Sequence, residues 1–406
     1  MNHAAIRAQF PLLTLSQGDY PLCYLDTAAT AQKPESVIAA MDHYYRQQNA
    51  NVHRGSYQLS ASATRAVEAV RDQLASFINA HIRQELIFTH GTTESLNMLA
   101  YGLAPQLSAG DLMLIDSAAH HANLVPWQQL ALRTGAIVEP IALDGQQRLD
   151  IKAFKTQLAR NPKLVTLSHV SNVLGTVNDI AQLCQLAKQA GAMTVVDGAQ
   201  AIAHLSVDVQ AIGCDFYAFS GHKMYGPTGV GVLWGKLAEL EKLTPLLTGG
   251  EMIKTVSFSG TTFGALPHRL EAGTPPIAEI IGLGEAIEFL QQHANSDSNA
   301  HEQRMLQLLQ QGLAQLPEIE LYGAHSDNCG AVAFNVRGEH HQDIGALLDQ
   351  QGVAIRCGHH CAMPLMELLQ LSGCCRASIG IYTNEQDIQQ FLAALKQTLE
   401  LLNEDF

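Results

Sequence analysis

The feature that most constrains this chain is an alternation of short apolar segments with helix-like ones between about residues 86 and 235. Short apolar runs bounded by turn residues are typical of buried strands, and the longer segments between them carry helical spacing. This order of elements is typical of a mainly parallel sheet covered by helices on both faces. We therefore predict an α/β fold. The predicted strands are 86–88, 112–115, 137–143, 164–167, 193–196, 216–219 and 230–234.

Polar side chains recur where these strands end. In open α/β sheets, ligands bind just beyond the carboxyl ends of the strands. One polar residue there carries little information, but five in corresponding positions predict one shared site. The five residues are Thr92, His120, Asn172, Asp197 and Lys223.

Two of these residues indicate a particular cofactor. Asp197 ends one apolar strand, and Lys223 follows the next strand in the segment Ser-Gly-His-Lys at 220–223. Pyridoxal phosphate condenses with a lysine through its aldehyde and needs an acid that keeps its ring nitrogen protonated. The sequence therefore predicts that pyridoxal phosphate binds between these two strand ends.

Three other polar segments have more than one interpretation. Residues 91–94, Gly-Thr-Thr-Glu, could seat a phosphate at a helix N-terminus, although ordinary capping is the commoner role of such residues. His120 and His121 could stack on a flat cofactor or bind a metal, but a polar loop is commoner. Residues 51–55 could equally be an exposed basic loop.

The regular alternation of strand-like and helix-like segments does not continue after about residue 292. We predict a large cofactor-binding domain at 21–292 and a smaller α/β domain made of 1–20 and 293–406. The polar stretch 293–300 is the best candidate for a linker. Strand-like runs follow at 331–336, 353–356 and 377–382, and amphipathic helices precede and follow them.

The smaller domain contains four cysteines and two histidines between residues 357 and 375. A zinc or iron–sulfur site is one interpretation, although this spacing is unusual for metal ligands. The other is a single nucleophilic thiol, Cys361, because neighbouring positive groups favour the reactive thiolate. Arg376 could then hold a substrate carboxylate through two parallel hydrogen bonds.

Composition limits the class of protein. The net charge of −14 and the lack of a basic cluster argue against nucleic-acid binding. No apolar run reaches the roughly 18 residues of a membrane span, and the first residues do not resemble a secretory signal. The eight cysteines are scattered rather than arranged as a disulfide framework. We expect a soluble protein of a reducing compartment, most simply the cytoplasm.

A set of motifs along nearly the whole chain is more specific than any of these segments alone. The motifs are DTAAT at 26–30, NVHR at 51–54, GTTE at 91–94, HHANLVPW at 120–127, HVSNVLGT at 169–176, VDGAQ at 196–200, SGHKMYGPTG at 220–229, EAGTP at 271–275 and RCGHHC at 356–361. With them the chain resembles the cysteine desulfurases. Its resemblance is to the SufS/CsdA branch of the class V aminotransferase-like, fold-type I pyridoxal-phosphate enzymes, which have a large and a small α/β domain.

The resemblance implies a role for each site residue. Lys223 would hold the cofactor as an imine and later move the substrate α-proton, Asp197 would pair with the ring nitrogen, and His120 would stack over the ring. Gln200 would contact the ring hydroxyl. The phosphate would be bound by Thr92, Thr93, Ser220 and His222, with Thr274 supplied by the partner subunit of a homodimer. The substrate carboxylate would be held by Asn172 and Arg376, and the entrance lined by His53, Arg54 and Arg356.

The reaction implied is conversion of L-cysteine to L-alanine, with the sulfur held as a persulfide on Cys361. The resemblance also implies a SufE-type sulfur acceptor, onward delivery such as iron–sulfur cluster assembly, and a selenocysteine lyase side activity. Two rival functions remain: another class V reaction, such as that of a kynureninase-like hydrolase or an epimerase, and a metal- or cluster-binding protein.

Some residues depart from the family pattern. Ala119 precedes the histidine pair, Cys357 stands between Arg356 and Gly358, and Cys374 with Cys375 precedes the substrate arginine. An extra thiol could resolve the persulfide as a disulfide or merely pack as a small apolar group. We favour packing.

Overall fold

A seven-stranded sheet forms the centre of the molecule, and a four-stranded sheet lies beside it. The computed structural model describes residues 2–404. Its helices are α1 (His3–Arg7), α2 (Glu35–His43), α3 (Gln58–Phe77), α4 (Thr92–Gly102), α5 (Val125–Thr134), α6 (Ile151–Leu158), α7 (Ile180–Gln189), α8 (Val209–Ile212), α9 (Leu237–Leu240), α10 (Ile277–His293), α11 (Ser296–Ala314), α12 (His341–Asp349), α13 (Met363–Leu368) and α14 (Glu385–Glu404). Its strands are β1 (Ser16–Gln17), β2 (Tyr20–Pro21), β3 (Cys23–Tyr24), β4 (Leu86–Thr89), β5 (Leu112–Asp116), β6 (Ile137–Ile141), β7 (Leu164–Ser168), β8 (Met193–Asp197), β9 (Phe216–Ser220), β10 (Gly231–Gly235), β11 (Ile253–Ser257), β12 (Gly260–Phe263), β13 (Ile319–Tyr322), β14 (Ala331–Val336), β15 (Val353–Ala354), β16 (Arg356–Gly358) and β17 (Cys374–Ser378).

The central sheet contains all seven strands predicted from the alternation. Its order is β4-β10-β9-β8-β7-β5-β6. Strands β6, β5, β7, β8 and β9 are parallel, whereas β10 is antiparallel to both of its neighbours. The prediction of an α/β fold with a mainly parallel sheet is confirmed.

Both faces of this sheet are buried, because successive side chains of a strand point to opposite sides. Val165, Val196 and Phe219 pack with helices α3, α6, α7 and α10 on one face. Leu164 and Val195 pack with α4 and α5 on the other. A strand buried on both sides must be apolar throughout, which is why these strands are visible as continuous apolar runs.

The smaller sheet has the order β13-β14-β17-β16 and is antiparallel throughout. Helices α11, α12 and α14 bury their apolar residues against it in a second core, which also includes Cys23 and Leu25. Ile6 and Phe10 pack instead into the core of the large sheet. The domain boundaries of 21–292 and of 1–20 with 293–406 stay a prediction.

Two expectations about the second half are wrong. Residues 293–300 are not a linker, because α11 begins at Ser296 and its N-terminus is capped by Asn295, which accepts hydrogen bonds from the amides of Asp297 and Ser298. The polar sequence at this point is a helix-capping signal rather than a linker between domains. The strand predicted at 377–382 has wrong bounds, because the observed strand, β17, spans Cys374–Ser378.

Among residues 2–404, no helix has the length and apolar character needed to cross a membrane.

Candidate active site

A cleft of about 170 Å³ lies at the carboxyl ends of the parallel strands, where the small sheet faces the large one. The strand-end residues meet there because parallel strands all end at the same edge of the sheet. Eleven of the predicted site residues line it. They are Thr92, Thr93, His120, Asn172, Asp197, Gln200, Ser220, His222, Lys223, Arg356 and Arg376.

Asp197 and Lys223 provide the two groups that pyridoxal phosphate needs. One Asp197 oxygen (Oδ1) accepts a hydrogen bond from the amide of Ala199, and the other has no partner among the described residues. The next residue, Gly198, lies so close to Tyr217 that a Cβ would be 2.0 Å from its ring. The Lys223 amine has no hydrogen-bond partner within residues 2–404, and burial lowers its pKa to about 8. Both groups are therefore free to engage a ligand.

The phosphate end of the cleft is built at the N-terminus of α4. The amide and hydroxyl of Thr92 lie 2.8 and 2.7 Å from the Ser220 hydroxyl, and the N-cap residue, Gly91, has no side chain with which to cap the helix. Gly91 is in a positive-φ conformation, and a Cβ on Gly231 would lie 2.5 Å from its Cα. A helix N-terminus without an N-cap side chain and with adjacent hydroxyls suits an anion. Glu94 does accept a hydrogen bond from the His90 amide just before the helix, so the geometry fits both the capping and the phosphate interpretation of residues 91–94.

Two histidines in the cleft are neutral near pH 7. Burial, with the nearby Lys223 charge, lowers the pKa of His120 to about 3 and that of His222 to about 4. His120 Nδ1 accepts a hydrogen bond from the Ala122 amide, which places the ring proton on Nε2. A neutral imidazole can stack on a ring without adding charge to it. The residues present therefore fit pyridoxal phosphate.

Arg376 is fully buried and is held from two sides. Its Nη2 donates to Asp26 Oδ1 and its Nη1 to the carbonyl of Asn172, both at 2.9 Å. Its Nε has no partner among the described residues. The guanidinium is thus fixed before a substrate binds, and those two bonds use only two of the five N–H donors of an arginine. Asn172 lines the cleft beside it and donates its own Nδ2 to the carbonyl of His360.

Cys361 lies next to the cleft, in the turn between β16 and α13. Its Sγ is 3.5 Å from Nη2 of Arg356, which lines the cleft. The Cys361 residue is half-buried.

The turn that carries Cys361 is conformationally strained. His360 and Cys361 have φ values of 52° and 55°, in a region that costs non-glycine residues energy and persists only when neighbouring contacts enforce it. Three hydrogen bonds do so: Asn172 Nδ2 to the His360 carbonyl (2.8 Å), the His121 amide to the Cys361 carbonyl (2.6 Å), and the Met363 amide to His121 Nε2 (2.9 Å). The position of the thiol is therefore set by the large sheet's loops.

Three predicted residues lie elsewhere in the chain. Thr274 and His53 line a different cleft, where the His53 ring lies 4.7 Å from that of His268. Arg54 pairs with Glu251 at 3.0 Å. One chain does not bring these residues to Lys223, so their roles stay a prediction that depends on a second subunit.

The four cysteines of the 357–375 segment do not converge on one point. Cys357 and Cys375 contact each other in the second core, Cys374 packs in a separate apolar cluster, and Cys361 lies beside Arg356. This geometry does not favour a shared metal.

Two functional residues were not assigned by the sequence reasoning. Asp26 positions Arg376 from 350 residues away, and no local spacing connects them. His121 holds the Cys361 turn, but in the sequence it is only the second histidine of a polar loop. A pair of adjacent histidines after a strand was a signal, although an ambiguous one.

Comparison with known proteins gives consistent results. The family model described as aminotransferase class-V matches residues 23–391. The chain is 45% identical to a probable cysteine desulfurase of Synechocystis sp. over 406 residues, which cover 99% of this chain and 97% of that protein. It is 46% identical to a cysteine desulfurase of Yersinia pestis over 399 residues, 98% of each. Its fold is similar to that of the cysteine desulfurase CsdA of Escherichia coli in an S-sulfonic acid form, with a TM-score of 0.92, 39% identity and 99% of both chains covered.

Proposed function

This chain belongs to the aminotransferase class-V family and is a pyridoxal-phosphate-dependent cysteine desulfurase acting on L-cysteine, and from that premise we propose that Cys361 receives the substrate's sulfur as a persulfide. The observation that carries the proposal is the position of the Cys361 thiol. It lies beside Arg356, whose guanidinium lines the same cleft as Lys223 and Asp197. A nucleophile there can reach a substrate held at the cofactor.

Different residues of the cleft bind different parts of the substrate and the cofactor. We assign the substrate carboxylate to the remaining guanidinium N–H groups of Arg376 and to Asn172, because both residues line the cleft and Arg376 is already fixed by Asp26. We assign the phosphate to Thr92, Thr93, Ser220 and His222, and the ring to Asp197, Gln200 and His120. Gln200 is oriented by the hydrogen bond from its Nε2 to the Ala28 carbonyl.

Proton transfer falls to Lys223. When bound, pyridoxal phosphate supplies an electron sink that acidifies the substrate's Cα–H bond. With a pKa of about 8 and no hydrogen-bond partner among the described residues, the Lys223 amine is a suitable base for that proton. His120 carries its proton on Nε2 and can pass it within the cleft.

The sulfur step forms one bond and breaks another. The Cys361 thiolate attacks the sulfur of L-cysteine, an S–S bond forms, and the Cβ–S bond breaks. The electron pair of that bond stays with the substrate carbon, which takes a proton to become the methyl group of L-alanine. The sulfur remains on Cys361 as a persulfide. Selenium in place of sulfur would follow the same route, so we propose a selenocysteine lyase side activity.

We further propose that the enzyme is a homodimer. The hairpin β11–β12 exposes the apolar side chains of Val256 and Phe258, and it follows Glu251, which lines the same cleft as Thr274. Exposed apolar patches of this kind mark interaction sites. A second copy covering the hairpin would bring Thr274 to the partner's phosphate site, and His53 and Arg54 to its entrance.

The persulfide must then leave the enzyme, and we propose a SufE-type protein as its acceptor. Met363 and Leu368 expose apolar surface on α13, directly after the half-buried Cys361. Such a surface suits a partner that brings its own thiol to this turn. We propose that the sulfur serves iron–sulfur cluster assembly. A cytoplasmic location fits, because the nucleophile and seven further cysteines are free thiols.

The test of the nucleophile is alanine release by a Cys361→Ala holoenzyme. We expect loss of alanine formation from L-cysteine, while the visible absorption of the bound cofactor is retained. The matched control is Cys357→Ala, a partly exposed thiol four residues away that does not face the cleft; it should keep near-normal turnover. Undiminished turnover by Cys361→Ala would show that another group accepts the sulfur.

A further inference from the structure

Cys357 and Cys375 are a pair of thiols that the reaction of Cys361 does not use. They stand directly opposite each other on β16 and β17, and their Sγ atoms are 3.6 Å apart. Opposed residues of antiparallel strands have Cα atoms about 4.5–5.5 Å apart, which is within the range that a disulfide accepts. Both are free thiols, and Cys357 is partly exposed. The pair therefore meets the geometric requirements of a disulfide.

The pair faces away from the cofactor cleft. Side chains alternate along a strand, so Arg356 and Arg376 line the cleft while Cys357 and Cys375 contact the second core. On that side Cys357 packs against α12, where a Cβ on Gly345 would lie 2.7 Å from its Sγ. Direct sulfur exchange between Cys357 and Cys361 is not favoured by this arrangement. Cys357 instead contacts the thiol of Cys375.

We propose that Cys357 and Cys375 are a redox modification site, converted to an intramolecular disulfide by small-molecule disulfides such as oxidised glutathione. The Cys357 thiolate attacks the oxidant, whose S–S bond breaks and releases one thiolate. Cys375 then attacks the Cys357 sulfur of the mixed disulfide and releases the second. The two protein sulfurs are oxidised, the oxidant is reduced to two thiols, and these take up the two protons that Cys357 and Cys375 lose.

The order of the two attacks follows from the environments of the thiols. The hydrogen bond shared with Cys375 lowers the pKa of the Cys357 thiol, whereas that bond and burial raise the pKa of Cys375. The thiolate is the form that attacks, and Cys357 is the more accessible of the two. Cys357 therefore reacts with the oxidant, and Cys375 reacts only with its neighbour.

The disulfide restrains the segment that carries the nucleophile. Its formation draws the two sulfurs from 3.6 Å to about 2 Å. Cys357 lies in the strand that leads into the strained turn at His360 and Cys361. We expect amide hydrogen exchange in residues 357–362 to slow threefold or more on oxidation and to recover on reduction. This effect does not require a persulfide on Cys361.

The test uses Cys361→Ala holoenzyme, so that the reactive thiol cannot interfere, incubated with oxidised glutathione. Trypsin leaves 357–376 as one peptide, because no Lys or Arg lies between Arg356 and Arg376, and cleavage after Glu367 divides it. We expect the two fragments to stay linked, with the loss of two hydrogens, until a reductant is added.

Two matched variants assign the link. In the same background, Cys374→Ala should keep the link and Cys375→Ala should abolish it. Unlinked fragments in the Cys361→Ala enzyme, or a link that depends on Cys374, would overturn the proposal. If the Cys357–Cys375 disulfide forms but amide hydrogen exchange in residues 357–362 does not slow, the proposed effect on the Cys361 turn is wrong.

Discussion

Burial determines the chemistry of single residues in this cleft more than their neighbours in sequence do. Lys223 and His120 are desolvated, so that each favours its neutral form, and the nearby arginines add to this effect. Asp197 has the opposite influence on Lys223, because its charge favours the ammonium. The reactivity of the lysine is thus a balance between burial and a carboxylate placed 26 positions earlier in the chain.

This balance predicts the pH dependence of cofactor attachment. The neutral amine is the form that condenses with an aldehyde, and it predominates only above the pKa of about 8. In apoenzyme, the rate at which the cofactor attaches to Lys223 should rise with pH, with a midpoint near 8. An ordinary lysine would give a midpoint near 10.4. Stopped-flow absorbance between pH 6.5 and 9.5 measures it.

Asp197→Asn is the matched variant for that measurement. It removes the charge that raises the pKa of Lys223, so the midpoint should move below that of the unmodified enzyme. A midpoint near 10 in the unmodified enzyme, or an upward shift in Asp197→Asn, would contradict the assignment.

At the scale of elements, the turn between β16 and α13 is held by a loop of the large sheet. His121 contributes both its amide, to the Cys361 carbonyl, and its Nε2, which accepts from the Met363 amide. The preceding residue, His120, lines the cofactor cleft. One loop therefore contacts both the cofactor pocket and the Cys361 turn, which couples their positions.

His121→Ala should loosen this turn. It removes the Met363 hydrogen bond, worth about 1 kcal/mol, from a strained conformation that needs such contacts. We expect alkylation of Cys361 by iodoacetamide to become roughly three- to tenfold faster. Turnover should fall with little change in KM, and the cofactor absorption should be unchanged.

His359→Ala is the control for His121→Ala. This exposed histidine lies in the same turn and makes no side-chain hydrogen bond within the described residues. Its alkylation rate should be unaltered, and His121→Gln, which keeps an acceptor, should recover part of the loss. Equal rates for His121→Ala and the unmodified enzyme would show that the turn does not depend on this contact.

For the molecule as a whole, the question is whether one chain contains a complete site. Eleven predicted residues meet in one cleft, whereas His53 and Thr274 lie in another. The exposed hairpin β11–β12 begins two residues after Glu251, which lines that second cleft. These features together favour a dimer in which each subunit completes the site of the other.

The double variant Val256→Asp and Phe258→Asp should separate such a dimer, because it buries two charges at the proposed interface. Sedimentation velocity should show a monomer, with weaker retention of the cofactor because Thr274 is no longer supplied. Leu132→Asp, which changes an apolar residue 79% exposed on α5, should remain dimeric. A monomeric unmodified enzyme would contradict the dimer.

Much of the fold could be predicted because local patterns specify it. The parallel strands are buried on both faces, so their apolar runs located them to within a few residues. The antiparallel small sheet was less predictable: β17 carries Cys374 and Arg376, polar or ambiguous residues that became a strand only by pairing with β14 and β16. The N-terminus of α11 was mistaken for a linker because its capping residues are also turn residues.

By itself, the sequence determined the α/β class and the cofactor, and it predicted Cys361 as the nucleophile, because Asp197, Lys223 and the motif around Cys361 are local arrangements of chemically distinctive residues. Only the tertiary structure decided how these parts act together. Asp26 on Arg376, His121 on the Cys361 turn and Cys375 on Cys357 are contacts between residues that are distant in sequence or on adjacent strands. Such contacts depend on strand register and packing, which no local spacing encodes.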